Sequence, residues 1–543
     1  MKKLLIIGLL VIFAGYMEGI AQCDTLIPAD VFFIDGTPQQ FQPGSTVCLQ
    51  GGSKDYLYLK NIHGTADNPI TFINSGGAIT IETNHYYGIK IANCSFIRLT
   101  GSGDNEISYG IQVLRVDNGA GISVTELSTD VEIDYVEIAN TDIAGVYAKS
   151  EPDCLFNSTR DKFTMYNFWL HDCYLHDIAD EGLYIGSSKY TGQTINCNGK
   201  DTTVFPHVII GARIYNNIVE NTGWDGIQVS SAQSNCQVFG NTIKNDSYKG
   251  YQYQMSGILI GGGSSCDCYN NQIFDGKGDG IDILGLGNMK VYNNLIVNAG
   301  RTFKPDDPLA FKHGIYVGQT VTNPNATFDF FNNTIVSPKS NGIKYSNDEA
   351  IRASFINNLI TNPGRLLVEG DQAYINGTQP TIQKSTNFFT PENGSARFIG
   401  QNPNPYDLLP NSPAVNAGTN LSGVGVTFDI INRERPFHTY FDIGAYECYD
   451  PYAIVEDQDI DETLRIFPNP ATTYLNIVIP FSIDEVLKIR ILNSEGRLTN
   501  MLPALHELNQ NRLVIQFQVL SKGTYVLEVI TKSTTFHRKF LVF

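Results

Sequence analysis

The sequence predicts an all-β protein: a right-handed parallel β-helix followed by a small immunoglobulin-like β-sandwich. Three observations carry the helix. First, one unit recurs between Arg213 and Thr361: an Asn, an Ile or Val two residues on, a short turn, then a Gly-Ile pair. The Asn slot holds Asn217, Asn241, Asn271, Asn294, Asn333 and Asn358, and the glycines are Gly226, Gly257, Gly280, Gly314 and Gly342. Nine residues from Asn to Gly and fourteen from Gly to the next Asn make a minimal period of 9 + 14 = 23, which is in the solenoid range. Second, apolar residues alternate after each glycine, as in Gly280-Ile281-Asp282-Ile283, and a period of 2 marks strands. Third, no amphipathic helix separates these strands. Short strands wound into coils about 4.8 Å apart remain as the solution. Strand twist and crossover chirality set the right hand.

The Asn slot suits such a rod. Stacked Asn side chains bond along the axis, and Asn tolerates the αL bend between strands. The glycine anchor runs back through Gly182, Gly145, Gly110 and Gly88, with Cys173 in the Asn slot. On the order of ten coils then span residues 60 to 365. Loops interrupt them near 150–162, 188–207, 244–255 and 300–313. The last two fall in the same turn of the coil. Long loops on one side of a rigid scaffold are where a site is expected.

Residues 1–22 read as a secretory signal: Lys2-Lys3, the apolar run Leu4–Ala14, then Gly19-Ile20-Ala21-Gln22. The β-helix with its N-terminal cap is assigned to 23–365, the last coils and a cap over the open end to 366–450, and an acidic linker to 451–462. Residues 463–543 alternate as strands with turn signals, the sandwich. Ten cysteines in an exported chain point to disulfides, with Cys23–Cys48 expected across the cap. Cys154, Cys173 and Cys197 gather around one loop, and Cys236, Cys266 and Cys268 on neighbouring coils. The triplet Cys266-Asp267-Cys268 is read as two sulfurs turned apart, which argues against a shared ion. The net charge of −18 argues against nucleic acid and anionic membranes as partners. A monomer is expected.

Two stretches resemble known families. Gly64-Thr65-Ala66-Asp67-Asn68-Pro69-Ile70 resembles the opening coil of secreted β-helix proteins of the pectate-lyase-like superfamily, including lyases of the chondroitinase B and alginate lyase type. Ile466-Phe467-Pro468-Asn469-Pro470-Ala471, Gly496-Arg497, Gly523-Thr524-Tyr525-Val526-Leu527 and Lys539-Phe540-Leu541-Val542-Phe543 resemble the type A C-terminal sorting domain of the type IX secretion system of Bacteroidetes. The second resemblance implies handling by that machinery and a secreted or outer-membrane-surface location. The first implies a polysaccharide or surface glycan as partner.

Same-slot residues stack, so slots are columns. The slot before each Gly holds Glu181, Asp225, Ser256, Asp279, His313 and Asn341; the first outward slot after it holds Tyr184, Gln228, Leu259, Asp282, Tyr316 and Lys344. Paired carboxylates one or two coils apart suit glycoside hydrolysis, because close acids raise one another's pKa and so divide into acid and base. Glu181, Asp225 and Asp279 are therefore catalytic candidates. Lys149, at a strand end beside Tyr147 and Tyr184, is a fourth: lyases of the chondroitinase B type use a Lys base with a cation on the uronate carboxylate. Tyr184, Trp224, Gln228, Tyr316 and His313 are candidate substrate contacts, aromatic rings stacking on sugar faces. The rival reading makes the acids turn residues before an αL bend. His171-Asp172 and His176-Asp177 are assigned to packing and turns. No metal ligand set is read, and calcium is the one cofactor left open. The expected function is polysaccharide cleavage, by hydrolysis or elimination; the alternative is a non-catalytic glycan-binding or adhesin-type surface protein.

Overall fold

A computed structural model of the chain describes residues 23–448 apart from 40, 378, 380, 438 and 439. Within 464–542 it describes all but 468–470, 472–473, 480–484, 494–497, 500–503, 510–511, 517–519 and 533–534. The expected signal segment 1–22 and linker 451–462 lie outside the described residues. Two compact units divide after Cys448.

In the first unit most coils give three short parallel strands, and Thr164–Tyr166, Val208–Ile210 and Ala232–Ser234 add a fourth to three of them. One coil supplies Arg213–Tyr215, Ile218–Thr222 and Ile227–Val229; the next supplies Cys236–Phe239, Thr242–Lys244 and Ser256–Ile260. They stack in register, Arg213 beside Gln237, Val219 beside Ile243 and Ile227 beside Ile258. The rod thus has a first, second and third face in chain order. Inward side chains from all three, among them Ile214, Val219, Ile227 and Val229, are fully buried in one continuous core. The third face has twelve strands, from Phe33–Asp35 to Ile375–Asn376. The rod therefore starts well before residue 60. Its earliest coils lack both the Asn and the Gly-Ile pair, so the repeat does not disclose them.

The Asn column is a hydrogen-bonded ladder. Asn217 Nδ2 donates to Asn241 Oδ1 at 2.9 Å, and the pattern repeats through Asn271, Asn294, Asn333 and Asn358 to Asn387, one rung beyond the sequence repeat. Cys173 does occupy the slot, its amide donating to Asn217 Oδ1 at 3.1 Å. The αL bend belongs to the residue before the ladder: Asn216, Asn270, Asn293, Asn332 and Asn357 have φ between 51° and 59°. One polar residue turns the chain and the next enters the core to bond axially.

The corner glycines answer a different constraint. Gly226 does not have positive φ, nor do Glu181, Asp225 and Asp279. A Cβ on Gly226 would stand 2.6 Å from the carbonyl oxygen of Gly257 in the next coil. Close approach of coils, not an αL turn, demands glycine there.

Cys23–Cys48, Cys154–Cys197 and Cys236–Cys266 are disulfides. Cys266 and Cys268 both point inward and are fully buried, correcting the reading that turned them apart: strand positions i and i+2 share a face. Cys266 bonds across coils, and Cys268 packs as a free thiol in the core.

Residues 396–448 also depart from expectation. They run along the outside of the rod and do not close its end. Asn293, Asn332 and Asn357, from three successive coils, donate to the carbonyls of Phe428, Asp442 and Thr419. The cause is visible in the second face, where Leu295, Val297, Val336 and Leu359 are apolar on the outside as well; Ile430, Ala445, Tyr446, Leu408 and Ile443 cover them. Ion pairs brace this strap, Arg433 with Asp407 and Asp429 and buried Arg435 with Glu447.

The second unit has, among its described residues, two antiparallel sheets. One orders Arg465–Phe467, Tyr474–Val478, Arg512–Gln516 and Ala504–Asn509; the other orders Val486–Asn493, Gly523–Thr531 and Thr535–Val542. Leu475, Ile477, Leu513, Ile515, Leu527, Val529 and Phe540 form its core. Among the described residues no helix is long and apolar enough to cross a membrane.

Candidate functional site

Two rows of side chains meet along the third face. Strand register aligns Tyr147, Tyr184, Gln228, Leu259, Asp282, Tyr316 and Lys344 on its outside. At the turn entering the face, Glu181, Asp225, Ser256, Asp279, His313 and Asn341 form the second row. The Gly182 amide donates to the Asp225 carbonyl, that of Gly226 to Ser256, and that of Gly280 to His313, at 2.9–3.0 Å, while Ser256 pairs with Asp279. Glu181 and Asp225 are one rung apart, and Asp225 and Asp279 two, about 5 and 10 Å along the axis.

One cluster surrounds Asp279. Its Oδ2 lies 2.8 Å from Lys312 Nζ, and its Oδ1 accepts the His313 amide at 2.5 Å. Burial works against charge on Lys312, but Asp279, Asp282 and Asp225 hold its pKa above the usual value. Asp282, half-buried in the outer row, is pushed up to about 8, by burial first and by the Asp279 charge second. Asp225 is fully buried; among the described residues its Oδ1 accepts the Ser256 hydroxyl at 2.6 Å and its Oδ2 has no partner. Burial raises its carboxyl well above the usual range. Asp246, buried in the 244–255 loop, is raised to about 6 for the same reason. His313 stacks on Tyr316 at 5.7 Å; its Nδ1 accepts the Asn341 amide, and burial lowers its pKa to about 4, so it stays neutral.

The other cluster surrounds Lys149. It is buried, paired with Glu151 at 2.7 Å, and its ammonium sits 4.0 Å from the Tyr184 ring centre and 5.0 Å from that of Tyr147. Glu181, 2 % exposed, is raised to about 7 chiefly by burial. Lys149 is among the charges acting on it. Trp224 stacks on the exposed ring of Tyr251 at 4.9 Å, which ties the 244–255 loop to the row. Gln228 is buried, with its amide directed to Ser230 at 3.5 Å.

The structure therefore gathers the candidates into one strip, Lys149, Tyr184 and Glu181 at one end and Asp279, His313 and Tyr316 at the other, with Asp225 and Gln228 beneath. Sequence reasoning missed Asp282 as an acid, although its slot was visible. It missed Lys312, Asp246 and Glu151 altogether: they lie in loops or at a strand end, where periodicity is silent. Asp225, Asp246, Asp279 and Asp282 do not bring three donor atoms within 4.8 Å of one another.

Comparison with known proteins bears on both units. Residues 170–386 match the right handed beta helix region family, and residues 465–543 match the secretion system C-terminal sorting domain. No curated protein matches the chain. Among solved structures, a pectate lyase is 11% identical over 78% of this chain and 97% of its own, with a TM-score of 0.41. A GH136 lacto-N-biosidase from Eubacterium ramulus is 12% identical over 64% and 62%, at 0.35. A PL6 family polysaccharide lyase from Pseudopedobacter saltans is 13% identical over 67% and 92%, at 0.34. Stacked coils, buried Asn ladder and terminal tag agree: the chain is a right-handed parallel β-helix protein ending in a type IX C-terminal sorting domain, the mark of a secreted or outer-membrane-surface protein.

Proposed function

We propose that the third face of the rod cleaves a polysaccharide by hydrolysis, with Asp282 as proton donor and Asp279 as its carboxylate partner. One observation carries the reading: a carboxyl whose pKa is raised to about 8 stands beside an Asp279–Lys312 ion pair in a row flanked by exposed aromatic loops. A general acid must hold its proton at working pH, and burial beside another negative charge does that for Asp282. The Lys312 ammonium and the His313 amide aim the Asp279 carboxylate, as a base or nucleophile requires. Trp224, Tyr251, Tyr184 and Tyr316 provide ring faces and edges for a sugar chain lying along the rod. Glu181 and Lys149 would contact the same chain further along; Asp225, closed off from solvent, would support the strip from below.

Elimination by a lysine base needs the free amine. Lys312 is held protonated, and Lys149 is paired with Glu151, which is why hydrolysis is preferred. A panel of neutral and acidic polysaccharides, scored for new reducing ends and for unsaturated-uronate absorbance, tests this. Reducing ends without absorbance, lost in Asp282→Asn with the fold intact, are expected. Absorbance would replace hydrolysis by elimination, and binding with neither product would leave a glycan-binding surface protein.

A further inference from the structure

On the first face, away from the strip just described, three donors from two coils converge. Register sets Asp134 beside His171 and Glu132 beside Trp169. His171 Nε2 lies 3.3 Å from Glu132 Oε1 and 3.6 Å from Asp134 Oδ2, and ligand atoms of all three residues lie within 4.8 Å of one another. A tetrahedral ion with bonds of about 2.1 Å needs ligands about 3.4 Å apart; the two His171 distances match that, and the two carboxylates lie within 4.8 Å of one another. The other ring nitrogen is also engaged: Nδ1 is 2.7 Å from Asp172 Oδ2. A carboxylate there favours a proton on Nδ1, so that Nε2, once it gives up its own proton, would face an ion held between Glu132 and Asp134, the outer-sphere arrangement of metal-binding histidines. Tyr215 stacks on the ring at 4.4 Å and 11°, fixing its plane.

Two further facts point to a ligand. Asp134 is fully buried; the Thr100 hydroxyl lies near its carboxyl, but Oδ1 has no hydrogen bond of good geometry among the described residues. The charge now balancing the carboxylates is Arg98, 2.5 Å from Asp134 Oδ2 and 3.2 Å from Glu132 Oε1. Its side chain is 36% exposed, so the guanidinium has room to swing out. His176 supplies an internal control. It has the same Asp177–His176–Glu137 arrangement, at 2.8 and 3.3 Å, but among the described residues no third donor joins it.

We propose that Glu132, Asp134 and His171 form a binding site for a divalent transition ion of the zinc type, with Arg98 as the displaceable counter-charge. One imidazole and two carboxylates select such an ion over calcium, and three protein ligands leave a fourth position for water.

The test titrates Zn2+ into the metal-stripped full chain by calorimetry and, in parallel, Co2+ with its visible spectrum as readout. One saturable equivalent with a tetrahedral Co2+ spectrum is expected. His171→Gln and Glu132→Gln should each weaken binding at least tenfold, Arg98→Ala should tighten it several-fold, and His176→Gln should leave it unchanged. An ion-pair cluster with no ligand role predicts instead that Arg98→Ala only destabilises the fold. Absence of saturable binding in both the wild type and Arg98→Ala overturns the site, as does binding that survives both His171→Gln and Glu132→Gln. Because Glu132 is partly exposed, its variant reports even if His171→Gln folds poorly.

Discussion

Replacing Asn271 by Ala tests the ladder at one of its fully buried rungs. Four hydrogen bonds to or from oxygen disappear: Nδ2 to Val238 O at 2.9 Å and to Asn294 Oδ1 at 3.0 Å, and Oδ1 from the Asn241 amide at 3.1 Å and from Asn241 Nδ2 at 3.0 Å; a weak fifth, from Nδ2 to Cys268 Sγ at 3.4 Å, goes with them. Asn271 and Asn241 are both fully buried, so water does not substitute. The orphaned Asn241 amide costs about 1–3 kcal/mol, and each of the other three bonds about 0.5–1.5. The sum is about 3–7 kcal/mol. The comparator is Asn245→Gly on the outside of the rod. It loses one exposed bond, to Asn221 Oδ1 at 3.1 Å, and glycine keeps the φ of 54° without strain, so less than about 1 kcal/mol is expected. Guanidinium unfolding followed by circular dichroism measures both, and hydrogen exchange should show the Asn241 amide opening faster in Asn271→Ala. A difference between the two variants below about 1 kcal/mol would refute the claim that the ladder holds the coils together.

Two other measurements follow from particular side chains. Asp282 binds its proton more tightly folded than unfolded, so its contribution to stability falls as pH rises from about 4 to about 8. Activity that needs its proton falls through the same upper value. Asp282→Asn should abolish turnover, flatten the stability profile between pH 4 and 8 by up to about 1.4 kcal/mol per pH unit, and leave the variant more stable than wild type at pH 7; an unchanged profile would sink the acid assignment. The Cys236–Cys266 bond closes a separation of 30 residues, for which loop entropy gives about 3–4 kcal/mol. The double alanine variant should lose that much in denaturant unfolding, and a loss under about 1 kcal/mol would show that the paired coils already constrain the unfolded chain.

Hydrophobic alternation, the Asn column and the glycine spacing were enough to derive coils, their period and the rows of the third face, because in a stacked rod each rung repeats its neighbour's local constraints. The sorting tag was equally legible, being a local motif. What the repeat did not carry was anything one coil does differently. Lys312 reaches Asp279 from an insertion loop. The strap of residues 396–448 lies along the rod because Leu295 and Val336 are apolar outward. Asp134 and Glu132 meet His171 at sequence separations of 37 and 39. Periodicity is a property of the backbone's nearest-neighbour pairing and is written into every unit. A site is a property of which side chains that pairing brings face to face and how deeply it buries them, and only the folded register determines both.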